Sequence, residues 1–169
     1  MKSRISILTF ALCLLLFHTF LPISAFGAEA DEKTLTVLFT HDTHDHFLPA
    51  PEEGGGTFGG YTRLATLLKE QRAGAKGAVV TLDAGDFSMG SLFQTIYTTD
   101  APELRALGAM GYDVTTFGNH EYDYRAAGLA GMLNAAVTSG DPLPAIVQAN
   151  YHPPASDTST LAALERYGV

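Results

Sequence analysis

Residues 77–86 read Gly77-Ala78-Val79-Val80-Thr81-Leu82-Asp83-Ala84-Gly85-Asp86, an apolar run that ends in a polar, glycine-broken turn. The stretch Gly77 to Asp83, continuously apolar at Ala78-Val79-Val80, predicts the central strand of a parallel sheet covered on both faces. Upstream, Thr34 to Thr40 carries the strand-like run Leu35-Thr36-Val37-Leu38-Phe39. Pro49, Pro51 and Gly54-Gly55-Gly56 make residues 47–60 irregular. From Tyr61 to Arg72, Tyr61, Leu64, Ala65, Leu67 and Leu68 recur at helical spacing.

Downstream, a second helix is predicted with Asp100 as cap, Pro102 in its first turn and Glu103 three residues after the cap. Leu104, Leu107 and Met110 are its buried stripe, and Gly111 ends it. A third strand is expected at Asp113 to Phe117 and a third helix at Tyr124 to Val137, with Leu129, Met132, Leu133 and Ala136 inward. Ala145-Ile146-Val147-Gln148-Ala149 begins a fourth strand, which completes a βαβαβαβ order. Alternating strands and helices imply an α/β fold with a mainly parallel sheet and right-handed crossovers, so the strand C-termini share one edge. Ligands bind at that edge in such sheets.

Residues 1–30 stand apart. Lys2 and Arg4 precede an apolar stretch from Ile5 to roughly Phe26 that closes on small residues, the form of a secretory signal peptide. A membrane anchor is the alternative, since the stretch is nearly long enough to span. Pro22, Ser24 and Ala28-Glu29-Ala30 favour cleavage, before Asp31 or else before Ala28, and so no stable membrane span in the mature chain. A secreted, periplasmic or cell-surface location follows. The single cysteine, Cys13, lies within this segment, so an exported mature chain would rely on its core and on any bound metal.

Ten Lys or Arg face eighteen Asp or Glu, a net charge of −8. That balance excludes a basic face for duplex nucleic acid. It also opposes a phosphate substrate unless bound cations invert the local field.

Three polar clusters fall at the sheet edge: Asp42-Thr43-His44, Gly85-Asp86, and Gly118-Asn119-His120-Glu121-Tyr122-Asp123. Carboxylate, imidazole and amide groups there are hard oxygen and borderline nitrogen ligands for divalent cations. Asp42 and His44 can share a metal if the backbone turns between them. Asp86 follows a glycine that lets the chain bend around an ion, and its two oxygens suit a bridge. Asn119 adds a neutral amide oxygen. His120 and Asp123 lie on one turn, where the aspartate would fix the imidazole tautomer and raise its basicity. Asp123 is also placed to cap the third helix. Asp83 is expected to bond a neighbouring loop, Glu121 to be structural, Arg63 to tether a loop, and His41 and His46 to be exposed. Phe87, Phe93 and Tyr97 are core or pocket-lining residues.

At these residues the sequence resembles the metallophosphoesterases, and within them the secreted 5′-nucleotidase branch. Asp42-Thr43-His44 resembles that family's D-x-H motif, Gly85-Asp86 its G-D motif, and Gly118-Asn119-His120-Glu121 its G-N-H-E motif, continued by Tyr122-Asp123. Gly59-Gly60-Tyr61-Thr62-Arg63 resembles its G-G-x-x-R segment. The resemblance implies the first part of an αββα sandwich and a dinuclear site, with Asp42 and His44 on one metal, Asp86 bridging and Asn119 on the other. Zinc, manganese and iron all suit those ligands. Two such cations would bind the phosphoryl oxygens and activate water for in-line attack, with His120 and Asp123 as the catalytic pair that meets transition-state charge or assists the leaving group. A small-molecule phosphoester, a nucleotide above all, is the implied substrate. A cyclic nucleotide or a UDP-sugar is the alternative substrate, and an inactive metal- or partner-binding remnant the alternative of another class.

Two departures from the pattern matter. Asp45 stands where the family commonly has glycine, an added carboxylate expected to perturb the turn or the metal affinity. Nothing after His120 resembles the family's later histidine ligands, since His152 lies in a Tyr-His-Pro-Pro loop context. Residues 31–169 are therefore expected to be the N-terminal portion of a catalytic domain, with its second half and a nucleotide-binding domain supplied in cis.

Overall fold

The computed structural model describes residues 32–169; the leader read at Met1–Ala30 lies outside the described residues. Four strands form one parallel sheet in the order β1-β4-β5-β6: β1 Leu35–Thr40, β4 Ala78–Asp83, β5 Val114–Thr115 and β6 Ala145–Ile146. β1 and β4 run in full register from Leu35↔Ala78 to Thr40↔Asp83. A small antiparallel pair, β2 Ala50–Pro51 and β3 Thr57–Phe58, sits in the loop expected to be irregular. The glycines between them take positive φ, which gives the chain its reversal.

Helix α1, Tyr61–Gly74, connects β1 to β4, while short α2, Tyr97–Asp100, and α3, Pro102–Ala109, lead to β5. α4, Arg125–Ser139, leads to β6, and α5, Thr158–Tyr167, follows it. Because the strand order advances in one direction, right-handed crossovers put the connecting helices on one face of the sheet. The core lies beneath them. Leu104 and Leu107 of α3 and Leu129, Met132, Leu133 and Ala136 of α4 are fully buried, joined by Phe87, Tyr97, Ile146 and Leu164. Leu133→Ala is expected to lower unfolding free energy by about 3 kcal/mol, because the lost methyl groups leave a void the neighbours fill incompletely. Urea denaturation measures it.

The other face differs from the sequence expectation. Leu35, Val37 and Phe39 of edge strand β1 are 61%, 51% and 60% exposed. On β4, Ala78 is exposed and Val80 and Leu82 are half-buried. The apolar run thus marks a sheet covered on one face among the described residues, which sequence alone reads as covered on both. Leu67, placed in the apolar stripe of its helix, is likewise 52% exposed.

Asp100 does not cap the helix after it. It closes α2 and accepts from Thr99 Oγ1, while Ala101, in a left-handed conformation at φ 46°, begins α3 without a side-chain cap. Glu103 turns inward and is fully buried instead of reaching back. The sheet's C-terminal edge is tied by Asp83, which accepts from Thr40 Oγ1 at 2.9 Å, Thr115 Oγ1 at 2.8 Å and Gly85 N at 3.0 Å. That network holds the ends of β1, β4 and β5 together, and it includes the bond to a neighbouring loop expected of Asp83.

Candidate metal centre

The turns after β1 and β4 run side by side. Asp42 N donates to Gly85 O at 3.0 Å, His44 N to Asp86 O at 3.1 Å and Asp45 N to Phe87 O at 2.8 Å. Asp42, His44, Asp45 and Asp86 all take positive φ, from 43° to 52°. Left-handed backbone at four non-glycine residues in two adjoining turns is costly, and such conformations collect at functional sites. Close approach explains the glycines: a Cβ on Gly85 would meet Gly118 N at 2.5 Å, and one on Gly118 would run into the Asp86 carboxylate.

Donor atoms of His44, Asp86 and His120 lie within 4.8 Å of one another, all on half-buried residues. His44 Nδ1 is 3.1 Å from Ser88 O, a contact that fixes the proton there and leaves Nε2 free as a ligand. Asp42 Oδ1 lies 3.6 Å from that Nε2. Its other oxygen bonds His41 Nδ1, and this contact lowers the Asp42 carboxyl below its ordinary pKa. Asp86 Oδ1 accepts from His120 N at 2.9 Å. Asn119, its amide oriented by hydrogen bonding, donates to Asp86 Oδ2 at 3.2 Å.

His120 Nδ1 and Asp123 Oδ2 are 2.7 Å apart, and this hydrogen bond raises the imidazole pKa above its ordinary value. Asp123 does not cap α4: Tyr124 precedes that helix and supplies no side-chain cap. The ring of His44 meets that of His120 edge-on, with centroids 5.0 Å apart. A divalent cation fits this donor set of imidazole nitrogens and carboxylate oxygens.

Asp45 lies in the turn after β1, at positive φ. It is fully buried and accepts from Gly90 N at 3.2 Å. His41 has a partner in Asp42, although sequence gave it no duty. His120 enters the donor cluster as well as pairing with Asp123. Its G-N-H-E context and its place beside Asp86 were the available signals. Arg63 tethers a loop, as expected, through Gly59 O and Thr57 Oγ1.

No family model matches the chain. Individual relatives do: the snake venom 5′-nucleotidase of Gloydius brevicauda is 31% identical over 144 residues, 82% of this chain and 23% of that protein. The trifunctional nucleotide phosphoesterase YfkN of Bacillus subtilis is 35% identical over 108 residues, 64% of this chain and 6% of that protein. Among solved structures, the NAD nucleotidase of Haemophilus influenzae matches with TM-score 0.61 and 26% identity, covering 73% of this chain and 22% of that one. The chain belongs to the calcineurin-like phosphoesterases, alongside the 5′-nucleotidases. The calcineurin-like phosphoesterase structure of YfkN shares the fold, with TM-score 0.54 at 23% identity over 70% of this chain and 40% of that one. The chain spans less than a quarter of the length of the curated relatives it matches.

Proposed function

We propose that the protein hydrolyses phosphoesters, nucleotides foremost, in a metal-dependent reaction at the edge where β1, β4 and β5 end. The observation that carries this is the convergence of His44, Asp86 and His120 donor atoms within 4.8 Å. Divalent cations, when bound, supply Lewis-acid polarisation of phosphoryl oxygens and lower the pKa of an attacking water. Zinc, manganese or iron suits the donors, and two ions are proposed, which Asp42, His44, Asp86 and Asn119 would hold.

The chain's own groups have separable tasks. His44 offers Nε2 because Ser88 O holds its other nitrogen. Asp86 contributes negative charge and also positions the His120 backbone through Oδ1. His120, whose imidazole pKa the hydrogen bond to Asp123 raises, faces the developing negative charge on phosphorus oxygens or donates a proton to the leaving group. His120→Asn is expected to lower kcat for 5′-AMP hydrolysis about 100-fold while manganese affinity stays unchanged. Loss of affinity instead would make His120 a ligand, and full activity would remove it from the chemistry.

Residues 31–169 are proposed as the N-terminal portion of the catalytic domain, with further polypeptide laid over the exposed face at Leu35, Val37 and Phe39. The apolar character of that face and the greater length of the relatives support this. Export through the leader to a secreted, periplasmic or cell-surface location is the matching proposal; no helix among the described residues is long and apolar enough to cross a membrane. Parallel assays with 5′-AMP, 2′,3′-cyclic AMP and UDP-glucose, with added manganese, test the activity and separate the ester classes. No metal-dependent turnover of any of them by the protein joined to such further polypeptide would sink the enzymatic reading.

A further inference from the structure

Glu121 lies beside the proposed centre yet touches none of its donor atoms through its carboxylate. It is fully buried. Oε1 accepts from Ser88 N at 3.1 Å and Ser88 Oγ at 2.8 Å; Oε2 accepts from Asp86 N at 3.0 Å and Gly118 N at 2.6 Å. Four donors occupy the four lone-pair directions of one carboxylate, so the group is saturated. Two of those donors are the backbone nitrogen of Asp86 itself and that of the residue preceding Asn119. The same oxygen therefore joins the turn after β4 to the turn after β5, across 35 residues of sequence.

Glu121 is itself anchored. Tyr97, fully buried in the core, donates its hydroxyl to Glu121 O at 2.8 Å. A rigid core residue thus holds the backbone from which one carboxylate reaches both turns. Backbone hydrogen bonds between Asp42, His44 and Asp45 and the 85–87 segment then carry that register to the first turn.

We propose that Glu121 is a positioning residue for the metal centre: its carboxylate sets the spacing between the Asp86 and Asn119–His120 turns, and with it the geometry of the donor set. This rests on the metal reading above and adds a residue that holds the ligands without being one. Groups that orient ligands typically change metal affinity 10- to 100-fold when removed. Glutamine at this position retains most of the tie. Its amide oxygen accepts from Asp86 N and Gly118 N, and its NH2 donates to Ser88 Oγ, so only Ser88 N is left without a partner.

The test uses the full mature chain, titrated with manganese by calorimetry, together with amide hydrogen exchange of the metal-free protein. Glu121→Ala is expected to bind manganese about 10- to 100-fold more weakly and to exchange the Asp86 and Gly118 amides faster. Glu121→Gln is expected to stay within about threefold of wild type, because the Oε2 link persists. A folded Glu121→Ala protein with wild-type affinity, or with both amides still protected, overturns the proposal. Should that variant not fold, Glu121→Asp, one methylene too short to span both turns, is read by the same criteria. Failure of both to fold beside a native Glu121→Gln overturns the local tie in favour of a role in the whole fold. Wild-type protein that binds no manganese defeats the metal reading separately; the tie is then decided by exchange alone, with selective acceleration at Asp86 and Gly118 supporting it and none overturning it.

Discussion

Asp86→Ala is expected to weaken manganese binding at least about 100-fold, beyond the range for removing a residue that only orients a ligand. Three losses coincide in that substitution. The central carboxylate of the donor cluster disappears, and the His44 imidazole is left without its strongest charged co-ligand. Oδ1 no longer accepts from His120 N, nor Oδ2 from the Asn119 amide, so the third turn keeps only its Glu121 bonds to the second. Alanine also tolerates φ 52° less well than aspartate, which adds backbone strain. Asp86→Asn separates these effects, since it keeps an acceptor and a residue type suited to left-handed backbone but removes the charge. It is expected to fold as the wild type does and still lose most of the affinity. Thermal unfolding supplies a second readout. Manganese at 100 times its dissociation constant should stabilise wild type by about 2.7 kcal/mol and leave Asp86→Ala almost unmoved. Equal stabilisation of both would place the cation elsewhere.

The meeting of His44, Asp86 and His120 at one edge was legible because each follows an apolar run, and parallel topology alone carries such positions there. α4 was legible for a related reason: Leu129, Met132, Leu133 and Ala136 keep helical spacing, and all four are fully buried. Glu121 was read as structural, as its burial bears out, but the partners of Glu121 and Asp45 were not legible. In sequence they are acids in polar turns, and nothing local distinguishes a solvated carboxylate from one enclosed by backbone N–H groups 33 or 45 residues away. The covered and uncovered faces of the sheet also escaped, because Ala78-Val79-Val80 reads the same whether one side or both are packed. α5 was overlooked although a signal existed: Asp157 accepts from Thr160 N as an N-cap, and Thr160, Ala163 and Leu164 follow at helical spacing. The false cap at Asp100 has a local cause. Ala101 in left-handed geometry separates α2 from α3, so Asp100 terminates one helix and cannot start the next.

Glu103→Gln is expected to leave stability unchanged at pH 4 and to raise it by on the order of 4 kcal/mol at pH 9. Glu103 is fully buried in the first turn of α3, and neither carboxylate oxygen has a hydrogen-bond partner. Burial pushes its pKa from 4.5 up to about 8, against the opposing pull of its own backbone N–H, and the nearby charges of Asp45 and Glu121 add to the rise. The sign follows from proton counts. Below pH 4.5 both folded and unfolded chains carry the proton, so the carboxyl behaves as a neutral group, as glutamine does. Between pH 4.5 and about 8 the unfolded chain has released it and the folded chain retains it, so each rise in pH favours unfolding. Above the folded pKa the penalty is complete, at about 1.4 kcal/mol for each tenfold change in proton activity across that interval. Glutamine has no proton to lose and avoids the penalty, although its amide inherits the lack of partners. Tyr61 and Tyr97, whose hydroxyls burial holds above their ordinary pKa, remain neutral across this range and do not confound the comparison. Metal-free protein is required, so that cation binding adds no pH dependence of its own. Urea denaturation of both proteins at pH 4, 6 and 9 decides the matter: a difference that widens with pH is the expected result, and a difference constant in pH would mean that Glu103 ionises normally inside the fold.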